Sequence, residues 1–257
     1  MEAIPPFPAN AQVTEAWHLM TRVEPDTPHA LHVFKLLRDL ISSCPDLHRL
    51  SGPETCLLES AALLHDIGWV RTPDGSAHHK HSAAMIREHP WRTFTPEQIE
   101  IIALLARYHR KKLPTLDHPE FAAQPPATQD LIRRAAAFLR LADALDRSHR
   151  QIVTRAQIFP APRGFTLALS ASTDIAAEQA AVAKKSDLFL QQFGGPLHRD
   201  LRAHGGRDTG RAGRGRELAA AQLAAATAHA GLLRGAGRPL ARAGAVARRA
   251  AVGGVDP

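Results

Sequence analysis

Four stretches with helical periodicity each carry a histidine or an aspartate on, or at the end of, the apolar face. This feature constrains the fold most strongly, because the apolar faces of helices point into a common core. A buried imidazole or carboxylate is unfavourable by several kcal/mol unless it is paired or binds a metal. The four residues and their apolar neighbours are His29 with Val33, Leu36 and Leu40; His65 with Leu57, Leu58, Ala61 and Leu64; His109 with Ile99, Ile102 and Ala106; and Asp143 with Ile132, Ala136 and Leu139.

The helical pattern extends over residues 16–152 and predicts a mainly α protein with a helical core. Residues 1–15 form a polar, proline-rich lead-in. Capping boxes at "SGPE" (51–54) and "TPEQ" (95–98) predict two helix starts, and the first of these helices is expected to run to Gly68. Thr128 is expected to cap a further helix that contains Asp143.

The period changes after residue 152. "IVTRAQIF", the turn "PAPRG" and "FTLALSA" predict a β-hairpin. Residues 174–193 return to helical spacing and are expected to form one helix that stops at Gly194. Residues 153–200 should therefore form a small hairpin-plus-helix unit that packs on the helical core.

Residues 201–257 have a different composition, rich in alanine, arginine and glycine. Ten arginines against three acidic residues give this segment all of the net charge of +7, so residues 1–200 are balanced. Such a sequence cannot bury enough apolar surface to offset backbone ordering, and it is expected to be disordered or weakly helical. Two interpretations of this segment stay open. In one it is an arginine-rich arm that weakly binds nucleic acid or polyphosphate. In the other it is a low-complexity or out-of-frame extension without function.

The sequence predicts a cytoplasmic protein that neither crosses nor binds a membrane. The N-terminal ten residues have no basic patch and no apolar run, and no stretch reaches the roughly 18 apolar residues of a membrane span. The two cysteines suggest no disulfide scaffold and are compatible with a reducing compartment.

A shared divalent cation is the simplest partner for buried histidines and aspartates that come from separate helices. Asp66 directly follows His65 and adds a second carboxylate to the histidines and the aspartate on these faces. On a continuous helix, Asp66 would lie about 100° around the axis from His65, so the two could approach one point from different directions. Two imidazoles with two carboxylates suit Mn²⁺, Fe²⁺, Zn²⁺ or Mg²⁺ with positions left open for water.

These residues resemble the H…HD…D signature of the HD-domain metal-dependent phosphohydrolases. Further segments are similar to the C-terminal HD-type region of the exopolyphosphatase/guanosine pentaphosphate phosphatase family, over roughly residues 15–197. They are "ALLHDIG", "HHKHSAAMIRE", "FTPEQIEIIALLARYHRK", "LPTLDHPEF", "LRLADALDRSHRQ" and "KKSDLFLQQFGGPL". In that family the phosphatase chemistry belongs to N-terminal actin-like domains, to which nothing in this sequence corresponds, so exopolyphosphatase activity is not carried over.

The resemblance implies an HD-domain helical bundle in which His29, His65, Asp66 and Asp143 hold the metal. The cation would lower the pKa of a bound water, whose hydroxide attacks phosphorus, and Asp66 would contact both metal and water. In two-metal relatives, histidines from similar segments complete a second site. The segments "HHKH" and "YHR" contain His79, His81 and His109, and His81 and His109 are the predicted second ligands, with Asp66 bridging. Alternatively, these histidines bind substrate phosphate or donate a proton to the leaving group.

Cationic side chains near these motifs are candidates for holding phosphate. Lys80, Arg110 and Lys111 neighbour the histidines, and Arg147 lies one turn beyond Asp143. Lys80 is also counted with Asp66, His81 and His109 as a candidate catalytic residue.

The sequence thus predicts a metal-dependent phosphohydrolase that acts on a nucleotide or another phosphate ester or anhydride. The resemblance favours guanosine polyphosphates or polyphosphate as substrate and makes a homodimer plausible. The alternative is a non-catalytic module that binds a nucleotide or polyphosphate, or docks a partner, and uses its metal only structurally.

Overall fold

The computed structural model describes residues 9–72 and 74–203, and this part of the chain is mainly helical with one small sheet. Most of the predicted lead-in and the predicted tail beyond Ala203 lie outside the described residues. The helices are α1 (Ala11–Val23), α2 (Thr27–Ser43), α3 (Pro45–His48), α4 (Gly52–Leu64), a 3₁₀ helix (Ile67–Arg71), α5 (His78–Glu88), α6 (Pro96–Tyr108), α7 (Pro119–Ala122), α8 (Pro126–Ala144), α9 (Ala176–Lys185) and α10 (Asp187–Phe193).

The helices pack around one apolar core to which α2, α4, α6 and α8 contribute most. Helix α4 packs against α1, α2 and α6, and helix α8 packs against α2, α6, α9 and α10. Leu36, Leu40, Leu58 and Phe138 are fully buried in this core. The ends of α2, α4, α6 and α8 consequently come together, and the four residues that the periodicity singled out lie on these helices or directly after them.

Both predicted capping boxes are present. Glu54 N–H donates to Ser51 Oγ at 3.4 Å, and Ser51 N–H donates to Glu54 Oε2 at 2.7 Å. The same reciprocal pair joins Thr95 and Gln98 at the start of α6. These boxes satisfy backbone donors that the first turn of each helix leaves without a partner.

Replacing Ser51 by alanine is expected to lower the free energy of unfolding by about 1 kcal/mol, because the first turn of α4 loses its side-chain acceptor. Urea denaturation of the full chain measures this change. Ser42→Ala is the matched control, since Ser42 is exposed and its hydroxyl donates only to the carbonyl of Asp39. Equal stability of the two variants would contradict the role assigned to the cap.

Two helix limits differ from the sequence expectation. Helix α4 ends at Leu64 instead of running to Gly68, and Asp66 has φ −111° and ψ 0°, outside the helical region. Thr128 is not a cap, because α8 begins at Pro126, whose fixed φ and missing N–H suit the first helical position. The supposed angle of about 100° between His65 and Asp66 therefore does not apply.

The predicted hairpin is present, and a third strand joins it. Strand β1 (Val153–Ala161) pairs antiparallel with β2 (Gly164–Ala171), and β3 (Leu197–Ala203) pairs parallel with β2 in the order β1-β2-β3. Strand β3 is not among the elements predicted from the sequence, and its first residues precede the tail predicted from residue 201. The single helix expected over 174–193 is broken at Ser186, where the Asp187 carboxylate turns to bind Arg140 of α8.

Within the described residues, none of the helices combines the length and the apolar character that crossing a bilayer requires.

Candidate metal centre

Three histidines of the centre lie at helix ends, and free backbone carbonyls there fix their rings. His65 directly follows α4, and its Nδ1 lies 2.8 Å from the carbonyl oxygen of Ala62. His109 directly follows α6, with Nδ1 2.6 Å from the carbonyl of Ala106. The carbonyls in the last turn of a helix lack intrahelical partners, so they accept these ring N–H groups. In the tautomer that donates from Nδ1, each ring directs an unprotonated Nε2 inward.

His78 is the first residue of α5, and its Nδ1 lies 2.9 Å from the carbonyl oxygen of Gly75. Helix α5 begins there because Ala77 has φ 53°, in the left-handed region, which a helix cannot continue through. The backbone N–H of Gly68 donates to Ser82 Oγ at 2.9 Å and holds this helix against the 3₁₀ helix. Held in this way, His78 directs its Nε2 toward the carboxylate of Asp66.

His29 lies in the first turn of α2 and is oriented by a carboxylate. Its Nδ1 lies 2.9 Å from Asp146 Oδ2, and Asp146 is completely buried. The other Asp146 oxygen accepts the backbone N–H of Gln151 at 2.8 Å. A carboxylate that accepts from Nδ1 fixes the tautomer of a metal-binding histidine and raises its basicity.

The Asp66 carboxylate lies between the four imidazoles. Its Oδ2 is 3.8 Å from His29 Nε2 and 3.6 Å from His65 Nε2. Its Oδ1 is 3.2 Å from His78 Nε2 and 3.4 Å from His109 Nε2. Each oxygen thus faces a different pair of nitrogens, which is the arrangement of a carboxylate that bridges two ions.

Asp143 completes the side of the centre that contains His29. Its Oδ1 lies 3.8 Å from His29 Nε2, while its Oδ2 forms an ion pair with Lys185 of α9. The predicted convergence of His29 and Asp143, which are 114 positions apart in the sequence, is present.

The residues present fit divalent metal ions. Two groups have all their ligand atoms within 4.8 Å of one another, His29 with His65 and Asp66, and Asp66 with His78 and His109. Two ligands bonded to one ion at about 2.1 Å stand about 3.4 Å apart, and the Asp66 oxygens lie 3.2–3.8 Å from the four Nε2 atoms. His29 Nε2, His65 Nε2 and Asp66 Oδ1 are buried without a hydrogen-bond partner, a cost that an ion would remove.

The charges of the centre shift the pKa values of its members. Burial by itself raises the pKa of Asp66, but His65, His78 and His109 outweigh it and hold the value well below the usual range. Burial lowers the pKa of His109 well below its ordinary value. Burial also acts to lower the pKa of His65, yet Asp66 and Asp143 raise it overall. Asp66 is therefore an anion, and His109 offers a neutral ring.

The structure brings together five of the predicted site residues: His29, His65, Asp66, His109 and Asp143. It does not bring His81 to Asp66. His81 is half-buried one turn further along α5, and His78 takes the position expected for it. The motif "HHKH" offered three histidines, and only the start of α5 decides which one faces the carboxylate.

Among the predicted phosphate-binding cations, Arg110 contacts the candidate metal centre through His78. Its Nη1 is 3.1 Å from His78 Nδ1 and 2.9 Å from His78 Nε2, so the guanidinium lies over the face of that ring. Lys80, Lys111 and Arg147 are exposed. The pKa of His79 is lowered to about 4, first by burial and then by Arg110, His78, Lys111 and Lys80. The cations among these neighbours form a positively charged rim.

A cleft with a volume of about 310 Å³ opens beside Asp66. The indole of Trp69 stacks on His78 at 4.6 Å, and the ring of His149 stacks on His29 at 3.9 Å. The cleft gives a small molecule access to the carboxylate. Its lining residues are Glu24, Pro25, Asp26, Asp66, Trp69, Thr72 and His149.

Three further side chains that interact with the centre are not among the predicted residues: Asp146, Lys185 and Glu24. Asp146 lies one turn beyond Asp143, and its spacing could have been noticed. Lys185 and Glu24 carry no local signal, because each meets the centre only through the tertiary fold.

Glu24 supplies a test of the electrostatics. It is 8 % exposed, its Oε1 accepts the N–H of Asp26 at 3.0 Å, and its Oε2 has no partner. Burial raises the pKa of Glu24 to about 7; Asp66 adds to the rise, while the Asp26 N–H and His65 oppose it. The folded protein thus binds this proton more tightly than the unfolded chain, and stability falls as the pH rises from about 4.5 to about 7.

Glu24→Gln is expected to raise the free energy of unfolding at pH about 8.5 by up to about 3 kcal/mol, and to change it little at pH about 4.5. Urea denaturation of the metal-free protein at both pH values measures this difference. Glu54→Gln would not serve as a control, since it removes a cap, whereas Glu88→Gln changes an exposed side chain that pairs with Arg71 at the surface. A gain of the same size at both pH values would refute the assignment.

Comparison with known proteins relates this chain to one family. The family model described as Ppx/GppA phosphatase, domain III, matches residues 14–193. That span includes every residue of the centre described above. A comparison with curated proteins gives no match.

Proposed function

The chain belongs to the Ppx/GppA phosphatase family, domain III, and from this premise we propose that it is an HD-type, metal-dependent phosphohydrolase. The proposed substrate is a nucleotide or another phosphate ester or anhydride, with guanosine polyphosphate or polyphosphate favoured. The observation that carries the proposal is the position of Asp66, whose two oxygens lie 3.2–3.8 Å from four Nε2 atoms.

Two ion positions share Asp66 in this proposal. His29, His65, Asp66 and Asp143 would hold one ion, and Asp66, His78 and His109 would hold the other. Divalent ions bound there would supply Lewis-acid polarisation of the phosphate and a lowered pKa for water. Mn²⁺, Fe²⁺, Zn²⁺ and Mg²⁺ all remain compatible with a mixed histidine and carboxylate set.

The protein's own groups bind and orient the substrate. Arg110 lies beside His78 and can donate to a phosphate oxygen, and Lys80 and Lys111 add positive charge at the rim. Asp146 holds the ring of His29 in its ligating orientation. The cleft beside Trp69 can accept the remainder of the substrate.

A non-catalytic binding module is the second candidate function. It is favoured by the Lys185–Asp143 ion pair, because an internal cation already compensates one of the proposed ligands. In this alternative the domain recognises a nucleotide or polyphosphate, or docks a partner, and any metal is structural. Assembly of two copies of the chain stays a prediction.

The test begins with the full chain purified without chelator. Bound metal is quantified, and hydrolysis of a generic phosphodiester, guanosine polyphosphate and polyphosphate is assayed with added Mn²⁺. His65→Ala and Asp66→Ala are expected to lose metal and hydrolysis together, whereas His198→Ala on β3 should keep both. If the wild-type protein holds metal but hydrolyses none of the substrates, the proposed enzyme function is rejected in favour of the binding module.

A further inference from the structure

Lys185 reaches the metal centre from outside the four helices that carry the predicted ligands. It is the last residue of α9, in the small unit that follows the helical core. Its ammonium donates to Asp143 Oδ2, with 20 % of the lysine side chain and 12 % of the aspartate side chain exposed. The pair is therefore largely removed from water and is not an incidental surface contact.

Two further polar contacts fix the backbone on both sides of Lys185. Glu178 of α9 is completely buried, and its Oε1 accepts the N–H of Ser148 at 3.0 Å. Arg140 of α8 is 2 % exposed and donates to Asp187 Oδ1 at 2.8 Å. These contacts join α9 and α10 to the end of α8, where Asp143 lies. The lysine is thus aimed at the centre by an ordered scaffold.

The ammonium and a divalent ion compete for the same carboxylate group, since the ammonium binds Asp143 Oδ2 while Oδ1 faces His29. Asp143 belongs to neither of the two groups whose ligand atoms cluster within 4.8 Å, although its Oδ1 is 3.8 Å from His29 Nε2. An ion that takes Asp143 as a ligand beside His29, His65 and Asp66 would weaken the ion pair with the lysine, since two cations on one carboxylate repel each other. The ammonium would stay within a few ångströms of that ion.

Resting on the function proposed above, we propose that Lys185 is a phosphate-binding residue of the metal centre, held in place by Asp143 until a divalent ion takes over that carboxylate. A phosphate that approaches the ion presents further oxygens to its surroundings, and an ammonium beside the ion can donate to one of them. Lys185 thereby counts as substrate-binding, a role for which the sequence analysis named only Lys80, Arg110, Lys111 and Arg147.

The experiment compares the full-length wild type with Lys185→Met, which removes the charge and keeps the length of the side chain. Lys184→Met is the matched control on the adjacent, exposed residue. Titration calorimetry with Mn²⁺ is expected to give about tenfold tighter binding to Lys185→Met, because the competing ammonium is gone. Equilibrium dialysis with inorganic phosphate should give about tenfold weaker binding to the Mn²⁺-loaded Lys185→Met protein.

Lys185→Arg keeps the positive charge and is expected to retain phosphate binding. This variant separates the loss of the charge from misfolding as the cause of weaker binding in Lys185→Met. Equal phosphate affinity of Mn²⁺-loaded wild type and Lys185→Met, or weaker Mn²⁺ binding by Lys185→Met, would overturn the inference while leaving the metal centre intact. Failure of the wild type itself to bind Mn²⁺ would overturn the proposed function, and this inference with it.

Discussion

Asp66→Asn is expected to lower Mn²⁺ affinity by more than about 100-fold at both ion positions, since loss of groups that only orient a ligand already costs about 10–100-fold. The effect is large because one carboxylate faces all four imidazoles, with Oδ1 and Oδ2 each within 3.8 Å of two Nε2 atoms. The amide keeps the size of the side chain but removes the negative charge and one acceptor oxygen. Titration calorimetry with Mn²⁺ on the metal-free chain measures the change.

Asp46→Asn is the control for this substitution, because Asp46 is exposed on α3, which carries none of the proposed ligands. It should bind Mn²⁺ as the wild type does. If Asp66→Asn lost only one of two bound ions, the carboxylate would not bridge, and the two groups of ligands would have to be treated as separate sites.

Gly68→Ala is expected to destabilise the protein by about 4 kcal/mol, at the upper end of what overpacking costs. A Cβ at this position would stand 2.2 Å from the carbonyl oxygen of His78 and 2.3 Å from the backbone nitrogen of Ser82. Both are backbone atoms of α5, so no side-chain rotation can relieve the clash. The helix would have to move, and the ring of His78 would move away from Asp66.

Urea denaturation measures the stability of Gly68→Ala, and Mn²⁺ titration measures the loss at the position that uses His78. Gly52→Ala is a matched control at the start of α4, because a Cβ there meets nothing within 4 Å. It should leave both quantities nearly unchanged. A Gly68→Ala protein as stable as Gly52→Ala would show that α5 is not held as closely as the contacts imply.

Local patterns predicted the helical core and the two capping boxes. The reciprocal pairs at Ser51 and Thr95 connect residues three apart, so their geometry follows from the backbone of a first helical turn. The hairpin of β1 and β2 was predicted for the same reason, since its strands are joined by a short turn.

The convergence of His29, His65, His109 and Asp143 was also readable from the sequence. Each of these residues continues the apolar face of its own helix, and apolar faces must meet where the core is buried. The periodicity predicts which helix ends come together, although it does not predict which atoms touch. The identity of the substrate and of the metal stays a prediction, because periodicity contains no information about either.

The tertiary structure decided the remaining details of the centre. His78 instead of His81 faces Asp66 because α5 begins at His78, and the contact of Gly68 with Ser82 that fixes this helix joins residues 14 apart. Lys185 meets Asp143 across 42 residues, and Asp146 orients His29 across 117. Spacing along one helix contains no information about such pairs. By itself the sequence determined which residues point inward, since burial of apolar surface is a local pattern, whereas only packing between helices decided which of them meet.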